Sequence, residues 1–336
     1  MGILAGRLGS SPSVLVTGCS GVLGAGVVET LRGQGHAVVA ATRSPSSPRA
    51  QHLREIGVCV VRADTTDPES VAALPRASVL VHLAEARDET LGRERLWDIN
   101  VGAVCRMLDW ARRNGVERVV LRGATEATGW VDLEELPVDE SHPCRPDGVY
   151  GHSKLTAERA ALQWSAKHTI PIAVARLAPV FGGGARWAPL ERALRYVLTG
   201  VLGAQPSDDY LHPVAVADAV AALVLLARDR RPVSRPYFVS GPSPFTEREL
   251  FRRLAEYAGR RSLAERLAAR PPDPGEKRHQ GYLSAQLERD LGWRARGGLD
   301  QDLVRTVTEA TRDREALSHA APRQGLVSRV LSLVGA

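Results

Sequence analysis

Lysine and cysteine are both scarce in this chain, and each scarcity argues against a class of function. Only three of the 336 residues are lysine, so the net charge of +6 rests on arginines. These arginines alternate with acidic residues, as in Arg93, Glu94 and Arg95, which predicts solvated helix faces and no nucleic-acid partner. The four cysteines are far apart and form no CxxC pair, so we expect neither a metal site nor a disulfide framework.

Long apolar runs are also missing. The longest apolar stretch, residues 214–227, contains Asp218 and is shorter than the about 20 residues needed to span a bilayer. The first 13 residues are rich in Gly and Ser and lack the apolar segment of a signal peptide. We therefore expect a cytoplasmic protein without membrane contact, with residues 1–12 as a flexible N-terminus.

Short β-branched segments alternate with helical segments through the first half of the chain. We predict strands at residues 14–17, 37–41, 58–62, 79–83, 116–121 and 172–177. The main helices are predicted at residues 22–32, 49–55, 93–114 and 149–168. Such alternation produces right-handed βαβ units, so we predict an α/β fold with a Rossmann-type, doubly wound parallel sheet.

The composition changes in the second half of the chain. Residues 13–178 are predicted to form a dinucleotide-binding domain, completed by about residues 209–241. Residues 179–208 are rich in Gly, Pro and Trp, and residues 242–314 are mostly helical, which predicts a smaller substrate-binding lobe. We expect residues 315–336 to be a C-terminal tail.

A glycine-rich turn joins the first strand to its helix. Gly18, Gly21 and Gly24 let backbone N–H groups approach a pyrophosphate at the positive end of the helix, and Gly24 lets the helix pack on the strand. We expect these cofactor contacts: Gly18, Ser20, Gly21, Val22, Leu23 and Gly24.

Two charged residues mark the adenosine end of the expected cofactor site. Arg43 follows the second strand, where an arginine can pair with a 2′-phosphate, so it favours NADP over NAD. Asp64 follows the third strand and is placed to meet the adenine side. The alternatives are an exposed loop arginine and a surface acid.

Tyr150 and Lys154 form a Tyr-x-x-x-Lys pair. Residues four apart on a helix share a face, so the phenol and the ammonium project into the same space. A phenol with its ordinary pKa of about 10 is a poor base at neutral pH, and a nearby cation favours the phenolate. We therefore predict that Lys154 lowers the pKa of Tyr150 for proton transfer with a carbonyl or alcohol oxygen.

The glycine turn and this pair, in this order, resemble the extended short-chain dehydrogenase/reductase family, also called the NAD-dependent epimerase/dehydratase family. The resemblance extends over about residues 13–312. Further similar segments are Val-His-Leu-Ala at 81–84, Asn-Val-Gly-Ala at 100–103, the Arg-to-Gly turn at 176–182 and Leu-Gly-Trp at 291–293.

The resemblance implies an enzyme that transfers hydride between C4 of a nicotinamide and a substrate carbon. Tyr150 would be the catalytic acid or base, and Lys154 would hold the nicotinamide ribose. Leu83 and Ala84 would also contact the cofactor. A homodimer through the helices at 93–114 and 149–168 is a further expectation by family analogy.

The chain departs from the family pattern after the fifth strand. Counting back from Gly129 places Ala124 where the family has its catalytic Ser or Thr. Thr125 is the next residue, and we predict that its hydroxyl orients the substrate oxygen.

Other departures bear on the substrate. Pro179 replaces an asparagine common in sugar-nucleotide members, and Asp208 stands where their diphosphate-binding arginine is found, which weakens the case for a nucleoside-diphosphate sugar. Trp130, Phe181 and Trp187 are expected near the mouth of the site, as aromatic walls or in ordinary loop packing. We expect reduction of a ketone, or the reverse oxidation, on a small ring-bearing metabolite. The alternatives are a sugar-nucleotide epimerase, dehydratase or ketoreductase, and a non-catalytic dinucleotide-binding scaffold.

Overall fold

A computed structural model describes residues 13–185, 187–269, 271, 278–296, 300–301, 303–308 and 310 of the chain. The strands are β1 Val14–Thr17, β2 Val38–Thr42, β3 Cys59–Arg62, β4 Val79–His82, β5 Arg118–Ala124, β6 Ile172–Leu177, β7 Val180–Phe181, β8 Tyr210–Leu211, β9 Val214–Ala215, β10 Arg235–Val239 and β11 Phe245–Thr246. The helices are α1 Val22–Gly33, α2 Pro48–Glu55, α3 Pro68–Ala72, α4 Arg93–Trp97, α5 Ala103–Arg113, α6 Val149–His168, α7 Ala188–Thr199, α8 Val216–Arg228, α9 Glu247–Tyr257, α10 Arg261–Ala268 and α11 Ala285–Leu291.

Seven parallel strands form the central sheet, in the order β10-β6-β5-β4-β1-β2-β3. The chain runs outward from β1 to β3 and then returns to β4 on the other side of β1. This reversal separates the loops that follow β1 and β4 and leaves a crevice at the carboxyl edge of the sheet. The prediction of a Rossmann-type, doubly wound α/β fold is confirmed.

Helices cover both faces of the sheet, which explains why its central strands are apolar on both sides. On one face α1 and α8 contribute Val27, Leu31 and Leu223 to a continuous apolar cluster. On the other face α5 and α6 contribute Met107 and Ala161 to a second cluster. The sheet is thus held on both sides by buried aliphatic side chains, and its carboxyl edge is a fixed platform for the site.

The predicted helix over residues 93–114 is interrupted. A π-helical turn at Asp98–Gly102 separates α4 from α5. The buried side chain of Asn100 lies in this turn, where its amide pairs with the backbone N–H and C=O of Ala86 and donates to Ser153. These hydrogen bonds fix the loop after β4 against α6, and π-helical turns of this kind often accompany functional sites.

A separate apolar cluster is built from the second half of the chain. Leu194 of α7, Leu250 and Phe251 of α9, and Leu263 of α10 pack together there. This agrees with a helical lobe, although the predicted domain boundaries stay predictions. The predicted N-terminus at 1–12 and tail at 315–336 lie outside the described residues. Across the part of the chain that the structure describes, no helix combines the length and apolarity needed to cross a membrane.

Candidate active site

A cavity opens at the carboxyl edge of the sheet, above β1, β2 and β4. It is lined in part by Gly18, Ser20, Gly21, Arg43, Asp64, Leu83, Ala84, Glu85 and Arg122. Many of the predicted cofactor contacts therefore lie around one space, at the crevice where this fold class binds ligands. Whether they bind a dinucleotide stays a prediction.

The glycine turn has the close approaches that its spacing predicted. Gly18 has a φ of +73°, and a Cβ there would lie 2.9 Å from the backbone nitrogen of Ala84. A Cβ on Gly24 would overlap the Gly18 carbonyl oxygen and approach Cys19. Within the described residues no side chain caps the start of α1, where Gly21 is the N-cap. The N–H groups at the start of α1, which no side chain caps, and the tight backbone therefore fit a pyrophosphate.

The other end of the cavity holds a cation and a carboxylate. Arg43 is exposed and follows β2, and Asp64 follows β3. Asp64 accepts hydrogen bonds from the backbone nitrogen and the hydroxyl of Thr66, at 2.9 and 2.7 Å. Burial opposes ionisation of Asp64, but these hydrogen bonds and the charges of Arg43 and Arg95 hold its pKa below the ordinary value.

Tyr150 and Lys154 lie one turn apart on α6. The bounds of this helix, 149–168, are those predicted from the sequence. Both residues are buried, at 7% and 4% exposure. Lys154 Nζ donates to the carbonyl oxygen of Arg122 at 2.7 Å. Tyr150 Oη donates to Glu85 Oε2 at 3.0 Å. Both side chains contact Glu85 and so share one space, as the i, i+4 spacing predicted, and the structure adds that this space lies near the carboxyl ends of β4 and β5.

Glu85 is a residue of the candidate site that the sequence analysis did not predict. It directly follows the 81–84 segment, and its Oε2 lies 3.1 Å from Lys154 Nζ as well as close to Tyr150. Its Oε1 lies 2.8 Å from a guanidinium nitrogen of Arg122. Burial opposes ionisation of Glu85, but Arg122 and Lys154 outweigh it and lower its pKa to about 2. One sequence signal could have revealed Glu85: it is an acidic residue just after β4, at the carboxyl edge of the sheet, where the cofactor was expected.

The predicted charge state of Tyr150 is wrong. Burial and then the Glu85 carboxylate raise the pKa of Tyr150 well above its ordinary value, and Arg87 offsets this only in part. Burial also lowers the pKa of Lys154. The ammonium is engaged by Glu85 and by the Arg122 carbonyl, so its charge is balanced locally instead of stabilising a phenolate.

A second ion pair lies over the ring of Tyr150. The Arg87 guanidinium carbon is 4.8 Å from the ring centroid, and Arg87 pairs with Glu126. Arg87 is 45% exposed along its side chain, so this pair borders the opening of the site. The tyrosine ring is therefore enclosed between its helix and a cation-π contact.

Thr125 lies just beyond β5, fully buried. Its hydroxyl is 3.5 Å from Glu126 Oε2, and it lies close enough to the Tyr282 phenol to offset part of the rise that burial causes in the pKa of Tyr282. Ala124 ends β5 and is also buried. The neighbours of the Thr125 side chain are thus Glu126 and Tyr282, and not Tyr150 or Lys154. Its catalytic role stays a prediction.

The three predicted aromatic walls fall in two environments. Trp130 is 40% exposed, and its indole nitrogen donates to Asp147 at 2.7 Å. Phe181 and Trp187 are 2% and 7% exposed and pack in the apolar cluster of the second half, with ring centroids 6.1 Å apart. Of the three, Trp130 is the ring with surface to offer a substrate, and substrate contact by any of them stays a prediction.

The acidic segment before β8 is paired with arginines. Asp208 Oδ1 lies 2.6 Å from Arg248 Nε, and Asp209 accepts from the backbone nitrogen of Arg278 at 2.8 Å. The guanidinium of Arg278 lies 3.9 Å from Asp147. The two arginines that the structure describes beside this segment, Arg248 and Arg278, thus each have a carboxylate close by.

Comparison with known proteins places this site in a family. The model of the NAD dependent epimerase/dehydratase family matches residues 14–237. The chain is 29% identical over 271 residues to a 3 beta-hydroxysteroid dehydrogenase/Delta 5-->4-isomerase of Mycobacterium tuberculosis, covering 74% of this chain and 70% of that protein.

Solved structures agree on the fold. The UDP-glucose 4-epimerase of Thermus thermophilus, in complex with NAD, has a TM-score of 0.71 and 24% identity, over 88% of this chain and 98% of that one. The dTDP-glucose 4,6-dehydratase DesIV of Streptomyces venezuelae, solved with NAD, has a TM-score of 0.76 and 22% identity, over 90% and 98%. With the family match and the Tyr150/Lys154 pair, these findings confirm the predicted resemblance: the chain belongs to the NAD-dependent epimerase/dehydratase family and is an oxidoreductase or epimerase.

Proposed function

We propose that the protein is an NADP(H)-dependent oxidoreductase that interconverts a ketone and a secondary alcohol on a small, ring-bearing metabolite. The observation that carries the proposal is the position of Tyr150. Its hydroxyl lies beside Lys154 at the carboxyl edge of the sheet, next to the cavity that begins at the glycine turn. A proton donor at that point suits chemistry on a carbonyl or alcohol oxygen.

The described residues fit a nicotinamide dinucleotide at both ends. The glycine turn and the start of α1 would hold the pyrophosphate, Arg43 and Asp64 the adenosine, and Lys154 the nicotinamide ribose. When bound, the cofactor would supply or accept hydride. Tyr150 would exchange a proton with the oxygen on the same substrate carbon, and Thr125 would orient that oxygen.

Charge around the substrate side favours a substrate without a diphosphate. Asp208 and Asp209 are anions, and the arginines recorded near them, Arg248 and Arg278, already contact carboxylates. A diphosphate that approached either guanidinium would meet a carboxylate beside it. The mycobacterial relative is named for a hydroxysteroid, a ring-bearing secondary alcohol, which supports the same substrate class.

The preference for NADP rests on Arg43. Its charge is close enough to influence Asp64, so it borders the adenosine end of the cavity. An arginine there can pair with a 2′-phosphate that NAD lacks. The two solved relatives described above were crystallised with NAD, so we expect NADH to bind too, but more weakly.

Thermal unfolding with candidate ligands separates the substrate classes, because a ligand that binds the native state raises the melting temperature. With NADPH present, we expect cyclic ketones to raise it and UDP- or dTDP-sugars to leave it unchanged. A shift with sugar nucleotides alone would favour the epimerase or dehydratase alternative. Stabilisation by NADPH with no response to any ketone or sugar would favour the non-catalytic scaffold.

The predicted homodimer is part of the same proposal. Helices α5 and α6 would form the interface, by analogy with the family. Light scattering during size-exclusion chromatography tests this, and a monomer mass across the working concentration range would contradict it.

A further inference from the structure

The side chain of Glu85 contacts both Tyr150 and Lys154. Its Oε2 lies 3.0 Å from Tyr150 Oη and 3.1 Å from Lys154 Nζ. Its Oε1 contacts Arg122 at 2.8 Å, from the neighbouring strand β5. The side chain is only 5% exposed, so bulk water competes little for these contacts. One carboxylate therefore holds both groups that proton transfer needs.

The contacts fix which atom carries the shared proton. Glu85 touches two cations, Arg122 and Lys154, and a buried carboxylate with two such partners is ionised. An ionised carboxylate only accepts hydrogen bonds, so the proton between Glu85 and Tyr150 belongs to the phenol. A phenolate at the same place would put two negative oxygens 3.0 Å apart.

We propose that Glu85 is a positioning residue that holds Tyr150 in its protonated form and thereby sets the site for ketone reduction. The inference rests on the proposed oxidoreductase function and adds a direction to it. In reduction the carbonyl carbon gains hydride from NADPH, the C=O π bond breaks, and the Tyr150 proton passes to the oxygen. NADP⁺, an alcohol and a phenolate result, and the phenolate then takes a proton from water.

Alcohol oxidation needs the opposite form of Tyr150. A base must remove the hydroxyl proton as hydride leaves, and a protonated phenol cannot do so. Glu85 therefore keeps the reductive form present at neutral and alkaline pH and confines the oxidative form to high pH. Because a hydroxyl donates one proton, the substrate oxygen must replace Glu85 as its acceptor during the reaction.

The other charged groups around Tyr150 act more weakly on its hydroxyl. Arg87 and Arg122 favour the phenolate, and Glu126 opposes it. Glu89 accepts a hydrogen bond from the backbone nitrogen of Tyr150, at 3.1 Å. The titratable and charged groups facing the pair are His82 on β4, Glu85, Arg87 and Glu89 on the loop after it, Arg122 on β5, Glu126 beyond β5, and Lys154 on α6.

The direct test is the ionisation of Tyr150 itself. Ultraviolet titration of the wild type minus that of Tyr150→Phe isolates this phenol from the other tyrosines, without substrate or cofactor. We expect no ionisation of Tyr150 below about pH 10 in the wild type. In Glu85→Gln the same signal should appear at least about one pH unit lower, because Lys154 and Arg122 then face the phenol without the carboxylate.

Matched variants separate charge from packing. Glu89→Gln makes the same chemical change at a carboxylate that contacts the Tyr150 backbone, and it should leave the titration unchanged. Glu85→Asp keeps the charge and should keep Tyr150 protonated as in the wild type. Circular dichroism checks that each variant is folded. If the role of Glu85 were purely structural, Glu85→Gln would lower the melting temperature of the protein and leave the pH at which Tyr150 ionises unchanged.

The pH dependence of turnover is an independent readout. Ketone reduction by the wild type should stay level into the alkaline range, while alcohol oxidation rises about tenfold per pH unit as phenolate forms. In Glu85→Gln the pH profiles of ketone reduction and of alcohol oxidation should both move to lower pH. The size of this move should equal the change in the Tyr150 pKa that the ultraviolet titration measures.

Two outcomes would overturn the inference. One is a wild-type Tyr150 that ionises well below pH 10, which needs no variant to fold. The other is a folded Glu85→Gln protein whose Tyr150 signal stays where the wild type has it. If no ketone or alcohol reacts but the Tyr150 signal moves as expected, the proposed function fails while the role of Glu85 over Tyr150 holds.

Discussion

The Tyr150 hydroxyl donates to the Glu85 carboxylate at 3.0 Å, although the two residues are 65 positions apart in the chain. The same carboxylate contacts Lys154 at 3.1 Å. The Tyr-x-x-x-Lys spacing therefore identifies two groups that share a helix face, but a third residue, on the loop after β4, contacts both and affects their charges. The chemistry of this site depends on that triple contact.

The tightest point of the glycine turn gives a first prediction. Gly24→Ala should weaken NADPH binding and lower the free energy of unfolding by about 1–3 kcal/mol, because the new methyl group would meet the Gly18 backbone. Fluorescence titration with NADPH and urea unfolding measure the two effects. Gly33→Ala, at the open end of α1, has no atom within 4 Å of the added Cβ and should not weaken binding. Equal NADPH affinity in the wild type and both variants would remove the turn from the cofactor site.

Cofactor preference depends on one side chain. Arg43→Asp should raise the Kd for NADPH by roughly ten- to a hundredfold, the equivalent of one lost charge-assisted hydrogen bond, and change the Kd for NADH little. Arg62→Asp makes the same charge change at an exposed arginine at the end of β3 and serves as the control. If Arg43→Asp weakens NADPH and NADH alike, the reason for preferring NADP is lost.

Regular elements were predictable because their signals are local. The bounds of α6 and β6 match the prediction, and β6 is a short apolar strand whose six residues are all buried. The 93–114 helix was predicted without its interruption, because the π-helical turn forms around hydrogen bonds from Asn100 to Ala86 and Ser153, which are distant in sequence.

The shared position of Tyr150 and Lys154 was predictable, but Glu85 and the charges around the pair were not. Spacing placed Tyr150 and Lys154 on one helix face, and the end of β4 was expected beside the cofactor. The ionisation of Tyr150 was predicted wrongly because it depends on Glu85, whose position is fixed only once β4, β5 and α6 are packed together. A sequence pattern records neighbours along one element, whereas a pKa responds to every charge around the group.

The substrate-orienting hydroxyl remains to be tested. Thr125→Val should lower kcat by roughly 10²–10³-fold if Thr125 donates to the developing oxyanion, with Thr125→Ser retaining most of the rate. Tyr282→Phe removes the neighbouring phenol and leaves the Thr125 hydroxyl in place. A full rate in folded Thr125→Val would assign that hydroxyl to packing against Tyr282 instead.

A buried ion pair behind the site should contribute strongly to stability. Arg176 and Glu158 are 5% and 4% exposed along their side chains, with two short hydrogen bonds between them. Glu158→Gln should therefore lower the free energy of unfolding by about 3–5 kcal/mol, since it leaves a buried guanidinium without its counter-charge. Glu256→Gln breaks an exposed pair with Arg252 and should cost less than about 1 kcal/mol. Similar urea midpoints for the two variants would contradict this difference.

The most direct test of the account is single-turnover mixing of the enzyme and NADPH with a panel of cyclic ketones, followed by NADPH absorbance. We expect at least one ketone to oxidise bound NADPH in the wild type, and we expect Tyr150→Phe to lower that rate by roughly 10²–10⁴-fold while it still binds NADPH. Tight NADPH binding with no oxidation by any ketone, or an equal rate in Tyr150→Phe, would contradict it.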